Sequence, residues 1–454
     1  MESADPEYDR FRLLLLEPVS RLVAAKDQNI NWLLPRVSVP RWTRPATSVL
    51  PEVKALLGVE AIILDQFESD RSDPLIVAEV TSGSAMGTES ISWKGLDDLA
   101  PEELSDYELL ALGRLIAEGT TGRGKFSRLG WIHEVKKWIA ERVNHPIEDL
   151  SHITQTNGSN EATLLRFDTA SGATFWFKAV PALDTSEYRV TATLRELFPD
   201  YLPTLLAASD EWNGWLMEDA GRSLDDLENL RPRVLEEVAH HLGELQKASE
   251  SHVSTLLGRG CMDQRIPAIS ESMPEMMTYL EEAVITSNST SNSQISRQRL
   301  RDVYRAFQVA ASRLEDIDVP DTLVHSDINT GNILIGEGSC IFTDWSQAGV
   351  GHPFANFEQL RIQLAQDHRT AASSYDRLIA AYKRSWTGRV TDSQFQIAFK
   401  FAPPIAIAMY LHTRRDWFTS LQLRNPQFVR YARSMARQLD RATREIAVRE
   451  ALTA

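Results

Sequence analysis

Thr322-Leu323-Val324-His325-Ser326-Asp327-Ile328-Asn329-Thr330-Gly331-Asn332-Ile333-Leu334-Ile335, followed by Cys340-Ile341-Phe342-Thr343-Asp344-Trp345, is the stretch on which the reading of this chain turns. Ile333-Leu334-Ile335 and Cys340-Ile341-Phe342 are short apolar runs joined by Gly336-Glu337-Gly338-Ser339, the signature of a hairpin with a four-residue loop. Pairing outward from that loop sets Ile335 opposite Cys340 and Asn332 opposite Thr343. Asn332 therefore lies beside Asp344 at the open end, with Asp327 on the segment leading in. Phosphoryl transfer needs a carboxylate to orient the acceptor hydroxyl and two oxygen ligands for a divalent cation. Asp327, Asn332 and Asp344 supply those groups. An apolar hairpin with an aspartate at its far end makes the pattern far more specific than a bare H-x-D-x-x-x-x-N.

Earlier in the chain, Phe175-Trp176-Phe177-Lys178-Ala179-Val180 sets a lysine inside an apolar strand, where a charge is costly unless paired. If this part binds ATP, Lys178 is the residue to meet the phosphates, held by a glutamate from a helix. Glu187 and Glu196 compete for that place; nine positions apart, they face opposite ways on a helix. Val190, Leu194 and Leu197 trace an apolar face that continues back to Glu187, so Glu187 points inward and is the expected partner.

Composition sets the bounds. A chain of 454 residues is too long for one core and implies two or three units. A net charge of −15 argues against nucleic acid or an anionic membrane as the main partner. Two distant cysteines, Cys261 and Cys340, build neither a disulfide framework nor a thiolate metal site. Near the start, Leu13 to Leu16 is too short an apolar run for a signal peptide or a spanning helix, and a cytoplasmic protein is expected.

The expected fold class is α+β in three parts: an α/β unit over 1–125, a small β-rich lobe over 126–220 and a helical lobe over 221–454. In the first, Ala61–Leu64 and Leu75–Val80 read as strands, and Ser105 to Glu108 is a capping box opening a helix. A helix with Trp131, Val135, Trp138 and Ile139 along one face follows. Thr163 to Phe167 and Thr174 to Ala179 are β candidates. After Leu224 the pattern is mainly helical, interrupted between Leu323 and Trp345. Thr286 to Ser293 is a polar, low-complexity surface loop. In the helical lobe Asp263, Arg265, His412 and Trp417 are candidates to line the acceptor side, with core packing or a solvated face the favoured reading of each.

Through His325 to Asn332 and Asp344-Trp345, the chain resembles the aminoglycoside phosphotransferase and choline kinase-like family, over roughly Ile153 to the C-terminus. The resemblance implies a bilobal, protein-kinase-like fold and an ATP- and Mg²⁺-dependent kinase acting on a hydroxyl of a small molecule such as an aminoglycoside or amino sugar. It makes Asp327 the catalytic aspartate, Asn332 and Asp344 the Mg²⁺ ligands, and His325 a structural brace. It also makes Asn157-Gly158-Ser159-Asn160, with Ser159, the phosphate loop, although one glycine fits any β-turn equally. Trp215 to Gly221 resembles the family's hinge, where backbone groups around Met217 and Glu218 would meet adenine. Two departures stand out: Ser326 replaces the usual glycine, and Asn356 stands where many members carry an aspartate. The first is a tolerable change; the thin phosphate loop and the missing aspartate at Asn356 motivate the alternative of a catalytically silent, kinase-like nucleotide-binding or regulatory module.

Gly119 to Lys125 fits G-x-x-x-x-G-K, but Phe126 replaces the Ser or Thr needed for Mg²⁺ and a helix precedes it, so a P-loop is excluded. The segment from Leu33 to Leu64 resembles a degenerate Nudix unit. Setting the box glycine at Gly58 keeps Glu52 but places Ala55 and Leu56 where the two metal-binding glutamates belong. No pyrophosphohydrolase activity is expected there, and a generic α/β cap or dimerisation unit fits as well.

Overall fold

Leu13 to Leu16 fall in a strand, Tyr8–Leu16, that is buried on both faces. Alternate side chains of a strand point to opposite faces. Accordingly Leu13 and Leu15 pack with Ala46, Val49 and Val53, while Leu14 and Leu16 pack with Leu112, Leu115 and Trp131. The computed structural model containing this strand describes residues 8–28, 31–40, 45–68, 73–82, 91–119, 123–150, 152–159, 162–181, 186–285, 295–336 and 338–453. The Thr286–Ser293 loop and Glu337 of the hairpin turn lie outside the described residues. Among those residues, no helix is long and apolar enough to cross a membrane.

The chain divides into two compact units, Met1–Tyr188 with Thr204–Asp219, and Arg189–Pro203 with Ala220–Ala454. The architecture is α+β, as the sequence implies, with sheet concentrated in the first unit and helix in the second.

The first unit holds two sheets. In one, Tyr8–Leu16 pairs parallel with Leu75–Ser82 and antiparallel with Arg36–Pro40. Leu75–Ser82 then pairs antiparallel with Glu60–Phe67. The helix Asp106–Ala117 opens on the expected capping box, Ser105 with Glu108. The other sheet is antiparallel, in the order Leu205–Ser209, Gly214–Glu218, Thr174–Ala179, Thr163–Asp168, His152–Gly158.

One apolar core runs between these sheets, joining Leu14 and Leu16 to Leu165, Phe167 and Phe177 through Trp131, Val135 and Ile139 of the helix Trp131–Val143. Gln155 adds a polar link. The strand Glu60–Phe67 shifts register after Ile63, and the Gln155 amide takes over there. It accepts from the Ile63 N–H (2.7 Å) and donates to the Ile63 carbonyl (3.0 Å). A side chain thus supplies the backbone partner that a buried strand requires.

The second unit is mainly helical around one large core that includes Leu235, Met273, Phe307, Phe354 and Met409. Two three-stranded sheets interrupt it. One combines Arg222–Ser223, Ile333–Ile335 and Cys340–Phe342. The other combines Met262–Gln264, Ala348–Gly351 and Thr322–His325. The sequence reading finds the hairpin but misses Met262–Gln264 and Ala348–Gly351, which are too short and too rich in polar residues or glycine to show a strand period.

Glu79 is the exceptional charge of the first unit. It is buried, and its Oε2 accepts the N–H of Gly130 at 2.7 Å, just before the helix Trp131–Val143. Burial pushes its carboxyl from 4.5 up to about 7; Gly130 and Arg128 pull it down, and Glu134 and Glu17 push it up. Between those values the folded state holds the proton that the unfolded state has released, so stability falls as pH rises. Glu79→Gln is predicted to flatten this fall and to stabilise the unit at pH 8 by up to about 3 kcal/mol. Urea unfolding followed by tryptophan fluorescence at pH 5 and pH 8 measures it. An unaltered pH dependence contradicts the assignment.

Candidate active site

The hairpin register is the expected one: Ile335 opposite Cys340, Leu334 opposite Ile341 and Ile333 opposite Phe342. One step further out, the Thr343 N–H donates to the Asn332 carbonyl at 2.9 Å. This places Asn332 beside Asp344. Asp344 takes a left-handed backbone, φ 61°, which aspartate tolerates better than most side chains. The Ser346 hydroxyl donates to its Oδ1 at 2.9 Å. Asn332 reaches back to the incoming loop, its Nδ2 donating to the Asp327 carbonyl (2.9 Å) and to Asp327 Oδ2 (3.1 Å). A short turn, Thr330–Asn332, makes this reach possible, and Asn329 caps it by accepting from the Gly331 N–H at 2.9 Å.

His325 ties the loop to the hairpin. Its Nε2–H donates to the Thr343 carbonyl at 2.7 Å, and its ring lies 4.5 Å from that of Trp345. Trp345 is itself anchored through its indole N–H to the Phe342 carbonyl at 2.9 Å. Burial pushes the imidazole below its ordinary value, outweighing the Thr343 bond and the nearby Asp327 and Asp344. The ring is neutral, with the proton on Nε2 because a carbonyl can only accept.

Asn356 explains one departure that the sequence flags. Fully buried, its Oδ1 accepts the His325 N–H (3.2 Å) and its Nδ2 donates to the His325 carbonyl (2.9 Å). Gln246 and Gln359 complete its bonding. A carboxylate here would lose the donor half of this clamp and bury a charge.

Three hard-oxygen side chains are therefore brought together. With Nδ2 engaged by Asp327, the Oδ1 of Asn332 is the atom suited to a cation, alongside the Asp344 carboxylate. Mg²⁺ is commonly held by one or two protein oxygens plus substrate phosphates and water, and the donor set fits it. Among the described residues, no group of three or more His, Cys, Asp and Glu forms an all-protein cage.

The other expected residues belong to the first unit. Lys178 is buried in the strand Thr174–Ala179, and its ammonium is 2.5 Å from Glu187 Oε1. Their side chains are only 9% and 3% exposed, while Glu196 faces solvent. Glu187 sits in the first turn of the helix Ser186–Leu197, where a negative charge is favoured. The Ser159 N–H is turned onto Asn157 Oδ1 (3.0 Å); Asn160 lies outside the described residues. Met217 and Glu218 end the strand Gly214–Glu218, paired with Trp176 and Phe175. The Glu218 N–H is engaged by the Thr204 carbonyl at 3.0 Å.

Of the four candidates for the acceptor lining, Asp263 and Arg265 form a two-pronged ion pair (2.9 and 2.6 Å), and His412 Nε2–H donates to the Asp263 carbonyl (3.1 Å). Trp417 stacks near His412 with ring centroids 6.3 Å apart. All four candidates thus join one cluster. Gln264, between Asp263 and Arg265, is missed by the sequence reading. The spaced glycines Gly349 and Gly351 are its only trace, since glycine in a strand marks close approach by a neighbour.

Residues 185–389 match the model of the phosphotransferase enzyme family. An ethanolamine kinase of Plasmodium vivax is similar in structure at 15% identity and TM-score 0.44, over 65% of this chain and 83% of that one. A macrolide 2′-phosphotransferase of Brachybacterium faecium is similar at 11% identity and TM-score 0.45, over 67% and 97%. A choline kinase of Streptococcus pneumoniae is similar at 14% identity and TM-score 0.42, over 69% and 99%. No curated protein matches the sequence.

The buried ion pair makes a testable demand. Glu187→Ala takes the carboxylate away from a buried ammonium and is predicted to destabilise the protein by roughly 3–5 kcal/mol. Replacing both partners, Lys178→Met with Glu187→Leu, is predicted to recover most of that loss. Denaturant unfolding of the three proteins decides it, and a single variant as stable as the parent contradicts the pairing.

Proposed function

We propose, from the match of residues 185–389 to the model of the phosphotransferase enzyme family, that the chain is a small-molecule kinase that transfers the γ-phosphoryl group of ATP, with Mg²⁺, to a hydroxyl of an amino sugar, aminoglycoside or similar metabolite. The observation that carries this reading is the hydrogen bond from Asn332 Nδ2 to Asp327 Oδ2, 3.1 Å long, within a hairpin that also presents Asp344. In this reading Asp327 orients the acceptor hydroxyl and accepts its proton as the new phosphorus–oxygen bond forms and the bond to ADP breaks. The bond from Asn332 fixes the direction of the Asp327 carboxylate. Mg²⁺, when bound at Asn332 and Asp344, neutralises charge on the phosphates. Lys178, steadied by Glu187, meets the α- and β-phosphates. Ser159 and the backbone at Met217 and Glu218 complete the nucleotide contacts. Positioning and charge neutralisation supply most of the rate enhancement.

The same reading keeps three functional parts, 1–125, 126–220 and 221–454, in a cytoplasmic enzyme. The first part is a cap or self-association unit without hydrolytic chemistry. Ala55 and Leu56 are exposed on the helix Pro45–Leu57 and offer no carboxylate to a metal. Asn356, whose two-way amide suits its place beside His325, removes one motive for a catalytically silent module.

Screening amino sugars, aminoglycosides, cholines and sugar alcohols for ADP release from MgATP tests the activity. Asp327→Ala is predicted to lower turnover by about 10²–10⁴-fold while leaving ATP affinity, measured by calorimetry, largely intact. Turnover unchanged in that variant contradicts the role of Asp327.

A further inference from the structure

We infer that Gln264 is a positioning residue for the phosphoryl-transfer loop, holding Asp327 in place through the hydroxyl of Ser326. The inference rests on the reading of Asp327 as the catalytic carboxylate.

The backbone ladder that carries the loop ends one residue too early to fix it. Thr322–His325 pairs with Ala348–Gly351 as far as His325 opposite Ala348. Beyond it, the Ser326 N–H makes only a long bond to the Gln347 carbonyl, 3.4 Å. The strong contact at this position is from a side chain: Ser326 Oγ donates to Gln264 Oε1 at 2.5 Å. Both residues are buried, Ser326 at 2% and Gln264 at 0% exposure. Asp327 is the next residue in the chain.

The surroundings are shaped around this amide. Gln264 ends the strand Met262–Gln264, which runs parallel to Ala348–Gly351 with Gln264 opposite Gly351. A Cβ at Gly349 would lie 2.5 Å from Gln264 Cδ, and one at Gly351 would lie 2.7 Å from the Gln264 carbonyl oxygen. Glycine at both places lets the amide cross the sheet to Ser326. The arrangement carries a cost, since Gln264 Nε2 is buried without a hydrogen-bond partner among the described residues. An amide kept for packing alone would be better replaced by an apolar side chain of the same length. Ser326 has an ordinary negative φ, so glycine's freedom is not required there and the hydroxyl is what the residue contributes. Gln264 also sits between Asp263 and Arg265, so one strand carries both the acceptor-side ion pair and the grip on the catalytic loop.

Gln264→Met, Ser326→Ala and the double variant separate positioning from folding. Gln264→Met removes the acceptor, and is expected to lower kcat by about tenfold or more while KM for MgATP stays within about twofold. Ser326→Ala should do the same, and the double variant should be no slower than either single one, because all three remove one bond. Thermal stability should part company with turnover. The double variant leaves no unpaired hydroxyl and recovers stability, while kcat stays low. Turnover is read as ADP release from MgATP with glucosamine, choline or kanamycin as acceptor.

Hydrogen exchange at the amides of Ser326 to Ile328 supplies a readout independent of activity and should quicken in all three variants. A parent-like kcat in Gln264→Met, unchanged exchange, or a double variant that regains turnover with its stability overturns the inference. If the parent protein phosphorylates no acceptor, the proposed activity fails, and exchange alone still decides whether Gln264 holds the loop.

Discussion

A neutral imidazole at His325 is the constraint on which the candidate site depends. Its Nε2–H reaches the Thr343 carbonyl on the far strand of the hairpin, its face meets Trp345, and its own backbone is clamped at both polar groups by Asn356. These contacts join the end of Thr322–His325 to the end of Cys340–Phe342. Without them, the bonds from Asn332 to Asp327 would hold the loop to the near strand of the hairpin but not to the far strand that leads into Asp344. The cost of burying the ring is offset by its staying uncharged, and Asn356 supports that state because it brings hydrogen bonds without charge.

The sequence was most legible where one local rule decided the outcome. The apolar runs around Gly336 to Ser339 set the hairpin register because a four-residue loop leaves one natural pairing. Helical spacing chose Glu187 over Glu196, since only one of them lies on the side of Val190 and Leu194. The capping box at Ser105 and Glu108 marked a helix start for the same reason. What escaped was non-local. Met262–Gln264 is strand only because Ala348–Gly351 lies beside it, and three residues including an aspartate carry no period of their own. Asn356 looked like a defect in a motif. Its value lies in an amide that donates and accepts across more than thirty residues of chain, which no spacing rule encodes.

The first unit shows the same limit on a larger scale. Its N-terminal and central sheets read as separate pieces because each has its own strand pattern and a glycine-containing stretch lies between them. The core joining Leu14 and Leu16 to Phe167 and Phe177, and the grip of Gln155 on Ile63, depend on tertiary packing that overrides local cues. Lys178 therefore stands in a sheet braced on one face by the helix Trp131–Val143 and the strands beyond it, and Glu187 meets it from the first turn of the helix Ser186–Leu197. Such bracing gives a buried charge pair the fixed geometry that it needs to be tolerated.

Everything functional follows from the claim that Asp327, Asn332 and Asp344 are held together tightly enough to present a divalent cation site. The most direct measurement is the affinity of Mn²⁺ for the protein–ADP complex, read from loss of the free-ion electron paramagnetic resonance signal, in the parent and in Asp344→Ala. The account predicts that the parent complex holds the ion at least about tenfold more tightly than ADP alone and that Asp344→Ala loses this gain with ADP still bound. Equal Mn²⁺ affinity in the two proteins would contradict it.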